Sequence, residues 1–319
     1  MFSAAIAMKP SMNSQSRRGS DGETSDSDHC EDIYDVSPMH GCTDAFTSVA
    51  AAPKWSVPDQ MVVDSPVLAS ADPTYLNEWF LMMKSNEVKF HPVQSLNNQP
   101  QITPEMRGLL VRWLTQVCQT TRPRLLPETL FLAVNIVDRF LAVTPLGLDC
   151  LQLLGATALF IAAKMMYLTF PTICLQEEVH PLCAEEVVGL CDEGQYTRGQ
   201  LRMLERRVLS TLGFHLTVPT SVLFLEHLAA HGQYDHLTSC LARHLLVTSL
   251  QDYVICQHAP SSLALAALNL AASLVNNTRM NTCPAVDRCI LDLQLVLMTM
   301  IDRLPLPDLL MMCYQQYHQ

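Results

Sequence analysis

Glycine is scarce in this chain, with 11 among 319 residues. Tight turns between strands draw on glycine for left-handed backbone, so its scarcity, beside abundant Leu, Ala and Met, favours helix over sheet. Charge is scarce as well. Only 16% of residues are charged against 49% hydrophobic, the balance of a globular chain with a sizeable core. Basic residues are the scarcer sign: 20 Lys and Arg against 31 Asp and Glu give a net charge of −11, and no Lys/Arg-rich stripe is apparent. Neutralising phosphates would need one, so nucleic acid is not an expected partner.

The short motifs of catalysis are missing too. There is no glycine-rich phosphate loop with its lysine, no Gly-x-Ser-x-Gly and no His-Glu-x-x-His. Enzymatic activity is therefore not expected, nor is a cofactor or a metal. The 12 cysteines include no Cys-x-x-Cys pair, and "MFSAAIAMKP" lacks the long apolar core of a signal peptide. Free, mostly buried thiols in a reducing compartment, nucleus or cytoplasm, are expected. The run "LQLLGATALFIAAKMM" has transmembrane composition but is short for a span; it reads as a buried core helix, with no membrane partner. His227 and His231 share a helix face, and without a third ligand they are expected to be solvated rather than metallated.

What is present divides in three. Residues 1–71 contain "SQSRRGSDGETSDSDHCED", with Ser37-Pro38 and Ser65-Pro66 beyond it, and their composition predicts a disordered acidic, Ser-rich tail. From Asp72 helical patterns follow one another. In "PQITPEMRGLLVRWLTQVCQ" the apolar residues Met106, Leu109, Leu110, Trp113, Leu114 and Val117 fall on one helical stripe. "LPETLFLAVNIVDRFLAV" carries Pro127 where a first turn suits it, and Thr197 with Gln200 forms a capping box at the start of "RGQLRMLERRVLST". The pattern Ala-Leu-x-x-Ala-Ala occurs at Ala158–Ala163 and again at Ala267–Ala272, each time central in its own run of helices. Two consecutive helical domains of similar design are inferred, over residues 72–215 and 216–319. Ser273 stands in the second copy where Lys164 stands in the first, so the lysine is not a requirement of the fold.

The segments "MRGLLVRWL", "LPETLFLAVNIVDRFL", "LQLLGATALFIAAK" and "QYTRGQLRMLERRVLSTLGFHLTVPT" resemble, in order, the signatures of a cyclin box of the A/B type. The resemblance runs from about Asp72 to Val275. It implies an all-α fold of two consecutive five-helix domains, preceded here by the tail. It also implies a regulatory subunit that binds and activates a cyclin-dependent serine/threonine kinase in cell-cycle control. The alternative is a cyclin-fold scaffold or adaptor that no longer activates a kinase.

By the same resemblance Arg107 and Asp138 form a structural ion pair, and Lys164 and Glu205 bind the kinase backbone beside its mobile regulatory helix. Met106, Leu109, Leu110, Trp113, Gln116, Leu151 and Gln152 match a docking patch for Arg-x-Leu segments of substrates or inhibitors. Arg112 and Gln116 stand where A-type members carry acids, which weakens the attraction for a basic peptide. In the family Lys-x-Glu-Glu is contiguous. Here Lys164-Met165 is separated from Glu177-Glu178, two further kinase-binding candidates, by an insertion at about residues 166–176. Pro171 argues against a simple continuation of the helix, so an apolar surface loop is expected that disturbs the kinase-facing corner.

Overall fold

Helix is the only regular structure among the described residues, which in this computed structural model are 73–121, 125, 127–169, 182–191, 195–232, 234–277 and 282–317. The predicted tail therefore lies outside them. Among these residues a helix α1 (Pro73–Phe90) precedes two runs of five. The first run is α2 (Pro104–Thr120), α3 (Pro127–Val143), α4 (Leu151–Thr169), α5 (Ala184–Gly189) and α6 (Arg198–Thr211). The second is α7 (Ser221–His231), α8 (His236–Ser249), α9 (Pro260–Val275), α10 (Pro284–Ile301) and α11 (Leu306–Tyr317).

Local chemistry sets the helix starts. Thr103, Thr197, Thr220 and Asp235 each accept a hydrogen bond from a first-turn backbone N–H of α2, α6, α7 and α8, satisfying a donor that the helix itself leaves unpaired. The Thr197–Gln200 capping box is formed in both directions. Proline opens α2, α9 and α10, where its missing N–H costs nothing.

Each repeat wraps its helices around one Ala-rich centre. In the first, α4 packs against α2, α3, α5 and α6; in the second, α9 packs against α7, α8 and α10. This explains why both copies of Ala-Leu-x-x-Ala-Ala are apolar all round: Ala158, Leu159, Ala267 and Leu268 are wholly buried. The helical stretch Leu148–Leu168 is long and apolar enough to cross a membrane by length and composition, yet 72% of its most apolar window is buried against the other helices.

The repeats are joined by buried polar contacts as well as by packing of α3 on α7. A Cβ at Gly108 would sit 3.0 Å from the Gln251 carbonyl oxygen, so glycine is what lets α2 approach the end of α8. From α1, the buried Glu87 carboxylate accepts the Ser261 backbone N–H and hydroxyl, both at 3.0 Å. It thereby caps α9, whose own N-cap residue Ala259 has no side-chain acceptor. Lys84 pairs with the same carboxylate. Beyond α1, the Leu96 N–H donates to the Tyr253 hydroxyl at 3.1 Å. Nothing in the apolar periodicity of α1 announces this role.

Candidate functional site

Lys164 and Glu205 come together although 41 residues separate them. Packing of α4 on α6 brings the lysine Nζ to the Glu205 Oε1, where it donates a hydrogen bond within an ion pair. The lysine side chain is 40% exposed and the glutamate 15%, so the pair sits at the rim of the α4–α6 junction with its cation toward solvent. Nζ also lies 3.9 Å from the centroid of the Phe160 ring, whose face attracts it. A pair so exposed contributes little to stability, about 0–1 kcal/mol. Its chemistry is a cation and a carboxylate held at one place, able to meet a backbone carbonyl and an N–H of another chain.

The insertion does not part them. Helix α4 continues through Thr169, so Met166–Thr169 are helical rather than part of a loop. The expectation drawn from Pro171 falls on a residue outside the described ones. Because the extra residues follow Lys164 along its own helix, Lys164 keeps its place against α6. Leu168, one turn on from the lysine, is 72% exposed. Glu177 and Glu178, with the rest of the insertion from residue 170, lie outside the described residues.

Arg107 is wholly buried and Asp138 nearly so. The guanidinium donates through Nε to Asp138 Oδ1 at 2.7 Å and through Nη2 to Oδ2 at 2.6 Å, a two-pronged pairing. Nη1 donates to the Leu250 carbonyl of the second repeat at 2.9 Å. Burial by itself would lower the guanidinium pKa, but the Asp138 carboxylate and the Cys256 sulfur raise it by more. The residue is an internal tie between repeats.

The residues of the expected docking patch divide. Met106, Leu109 and Trp113 are half-buried along α2, and Gln116 is exposed. Leu110 and Leu151 are completely buried, in the core beneath the other four. The reason is the close approach of α2 to α4: a Cβ at Gly155 would fall 2.6 Å from a Leu110 methyl, so that methyl occupies the space the glycine leaves. Gln152 is 2% exposed, and neither its Oε1 nor its Nε2 finds a partner among the described residues. A buried amide left so is costly, which makes it unusual in a core.

His227 and His231 are not solvated. Both are buried, with ring centroids 3.9 Å apart, and Phe80 of α1 stacks on His227 at 4.6 Å. His231 Nδ1 donates to the His227 carbonyl at 2.8 Å, whereas His227 Nδ1 is buried without a partner among the described residues. Burial first, and the neighbouring His231 second, push the His227 pKa down to about 4. The described residues contain no cluster of three or more groups able to hold a metal.

Two family descriptions match the chain in tandem, "Cyclin, N-terminal domain" over residues 78–217 and "Cyclin, C-terminal domain" over residues 219–294. The chain belongs to the cyclin family. Human cyclin-O is 38% identical over 213 residues, which are 64% of this chain and 57% of that protein. A G2/mitotic-specific cyclin-B of Arbacia punctulata is 33% identical over 256 residues, 79% of this chain and 58% of its own length. The matched region therefore spans less than two thirds of either relative. A viral cyclin from herpesvirus saimiri has the same fold, with a TM-score of 0.52 at 20% identity over 76% of this chain and 96% of that one.

One exposed residue of this cyclin, near the end of α6, was not singled out from the sequence. Phe214, just past α6, is 69% exposed and has φ of 60°. Its N–H is held by the Leu209 carbonyl at 2.9 Å. Left-handed backbone is uncommon for a bulky residue, and such strain persists where something over-determines it. A signal did exist: an aromatic directly after the helix-stopping Gly213 falls outside the buried stripe of Leu201, Leu204 and Val208.

Proposed function

We propose that the chain is the regulatory subunit of a cyclin-dependent serine/threonine kinase, which it binds and activates in control of the cell cycle. The observation that carries this reading is the Lys164–Glu205 pair, with Phe214 exposed at the end of the same helix. The pair would hydrogen-bond the kinase backbone at the entry to its mobile regulatory helix, and the aromatic ring would pack against that helix. Pressing it inward completes the Lys–Glu ion pair that the kinase needs for phosphoryl transfer. The catalytic groups belong to the kinase, and this chain contributes none. A stable interface of this kind buries upwards of roughly 1,200 Å². The site of action would be the nucleus, the cytoplasm or both.

A second surface belongs to the same reading. Met106, Leu109, Trp113 and Gln116 would receive an Arg-x-Leu segment of a substrate or inhibitor, with the unpartnered amide of Gln152 meeting its backbone. Leu110 and Leu151 would support that patch from beneath.

The test is affinity purification from cells followed by a kinase assay on the eluate. Recovered activity is expected to fall at least about tenfold with Lys164→Ala plus Glu205→Ala, as loss of one or two charge-assisted hydrogen bonds implies. Undiminished recovery with a folded double variant would refute the site. Recovery of a bound but inactive kinase would favour the scaffold.

A further inference from the structure

The arginines of this acidic chain are unevenly placed. Helix α6 holds Arg198, Arg202, Arg206 and Arg207 with a single acid, Glu205, in a protein whose net charge is −11. Arg198, Arg202 and Arg206 recur one turn apart and all three are exposed, a basic stripe that the linear sequence does not display as a cluster. Arg198 is ion-paired with Glu185 of α5, while Arg202 and Arg206 form no ion pair or hydrogen bond among the described residues. Like charges one turn apart disfavour the helix that carries them, so local structure does not account for the stripe.

Its position suggests what does. Arg202 lies three residues before Glu205, and Arg206 follows it directly, so the stripe borders the Lys164–Glu205 corner on the same helix. A molecule docked on that corner would extend over both arginines. We infer that Arg198, Arg202 and Arg206 form a docking stripe for an acidic segment of the partner kinase, contiguous with the Lys164–Glu205 corner. The inference rests on the kinase-binding reading above. Guanidinium groups suit the role, since each presents a planar fork of donors to a carboxylate and stays charged at every relevant pH. Exposed charges of this kind act mainly on encounter: they steer the partner and fix its register, and salt screens them.

The experiment measures association and dissociation of a purified cyclin-dependent kinase that the affinity purification recovers. The unaltered chain is compared with Arg202→Gln plus Arg206→Gln and with Lys164→Ala, at about 50 and about 500 mM salt. The double arginine variant is expected to associate about tenfold more slowly at low salt, with dissociation little changed and the difference gone at high salt. Soluble polyglutamate should compete with the kinase for the unaltered chain and not for that variant. If Lys164→Ala weakens binding while the arginine variant associates normally at both salts, the stripe is a solvated face and the inference fails alone. A lower melting temperature without slower association would mean that acids of this chain hold the arginines, and it would also overturn the proposal. Unchanged binding in every variant would remove the kinase-facing reading itself, and the stripe with it.

Discussion

Arg107 commits its guanidinium to four acceptors: both carboxylate oxygens of Asp138, the Leu250 carbonyl and, at 3.4 Å, the Cys256 sulfur. Replacing it with alanine would leave a buried carboxylate without its cation and a helix-terminal carbonyl without its donor. Removing one partner of a buried pair costs about 3–5 kcal/mol, far above what exposed pairs contribute. Arg107→Ala is therefore expected to lower the urea midpoint sharply, and Arg198→Ala, from the exposed pair with Glu185, to leave it nearly unchanged. Equal midpoints for the two variants would contradict the burial. Residue type was informative here because only a charge in an otherwise apolar stripe demands a partner. It was silent on the depth of Leu110 and Leu151, which the resemblance places in the docking patch: an apolar residue looks the same whether a neighbouring helix covers it or a groove leaves it open.

At the scale of the element, α4 is the instructive case. Lys164 keeps its contact with Glu205, and the first inserted residues, Met166–Thr169, prolong its helix by about one turn. Glu177 and Glu178, the other half of the expected corner, lie outside the described residues. The extra turn brings the exposed Leu168 beside the lysine, where a docking chain must approach closely. Deleting Met166–Gln176 is expected to keep the fold, since changes of length in a connection cost little entropy, and to raise kinase affinity about tenfold or more. Co-precipitation of both forms with a panel of cyclin-dependent kinases, at matched helical circular dichroism, measures this. Equal recovery would make the insertion a tolerated extension.

Across the whole molecule, α1 closes the seam between the second repeat and the rest through Glu87 at α9 and through Trp79 and Phe80 over His227. The histidine cluster gives that seam a pH dependence. Buried His227 stays neutral in the folded chain down to about pH 4, whereas the unfolded chain protonates it near 6.5. Helix α9, packed against α7, carries no acidic side chain to offset a charge there. Between those values the unfolded state binds more protons. The contribution of neutral His227 is thus complete above pH 6.5 and is lost as pH falls toward 4, by about 3 kcal/mol. Urea midpoints between pH 7.5 and 4 should fall more steeply for the unaltered chain than for His227→Phe, which keeps the stacking and cannot be protonated. Parallel curves would show that His227 is not what acid attacks.

Apolar periodicity, capping residues and the repeated Ala-Leu-x-x-Ala-Ala determined by themselves that this protein is helical, that it has two repeats and where most of its helices begin. These are local properties, set by neighbours within one or two turns. Covers and partners across long separations were left to the tertiary structure. It decided that Leu110 and Leu151 lie inside, that His227 is covered by a helix much earlier in the chain, and that Glu87 caps α9. It decided too that Arg107 ties both repeats together, and that Glu205, which interrupts the arginine stripe of α6, meets Lys164 of α4. Each of these depends on which surfaces meet when helices far apart in sequence pack, and a one-dimensional pattern records the face a residue occupies without recording what comes to lie against it.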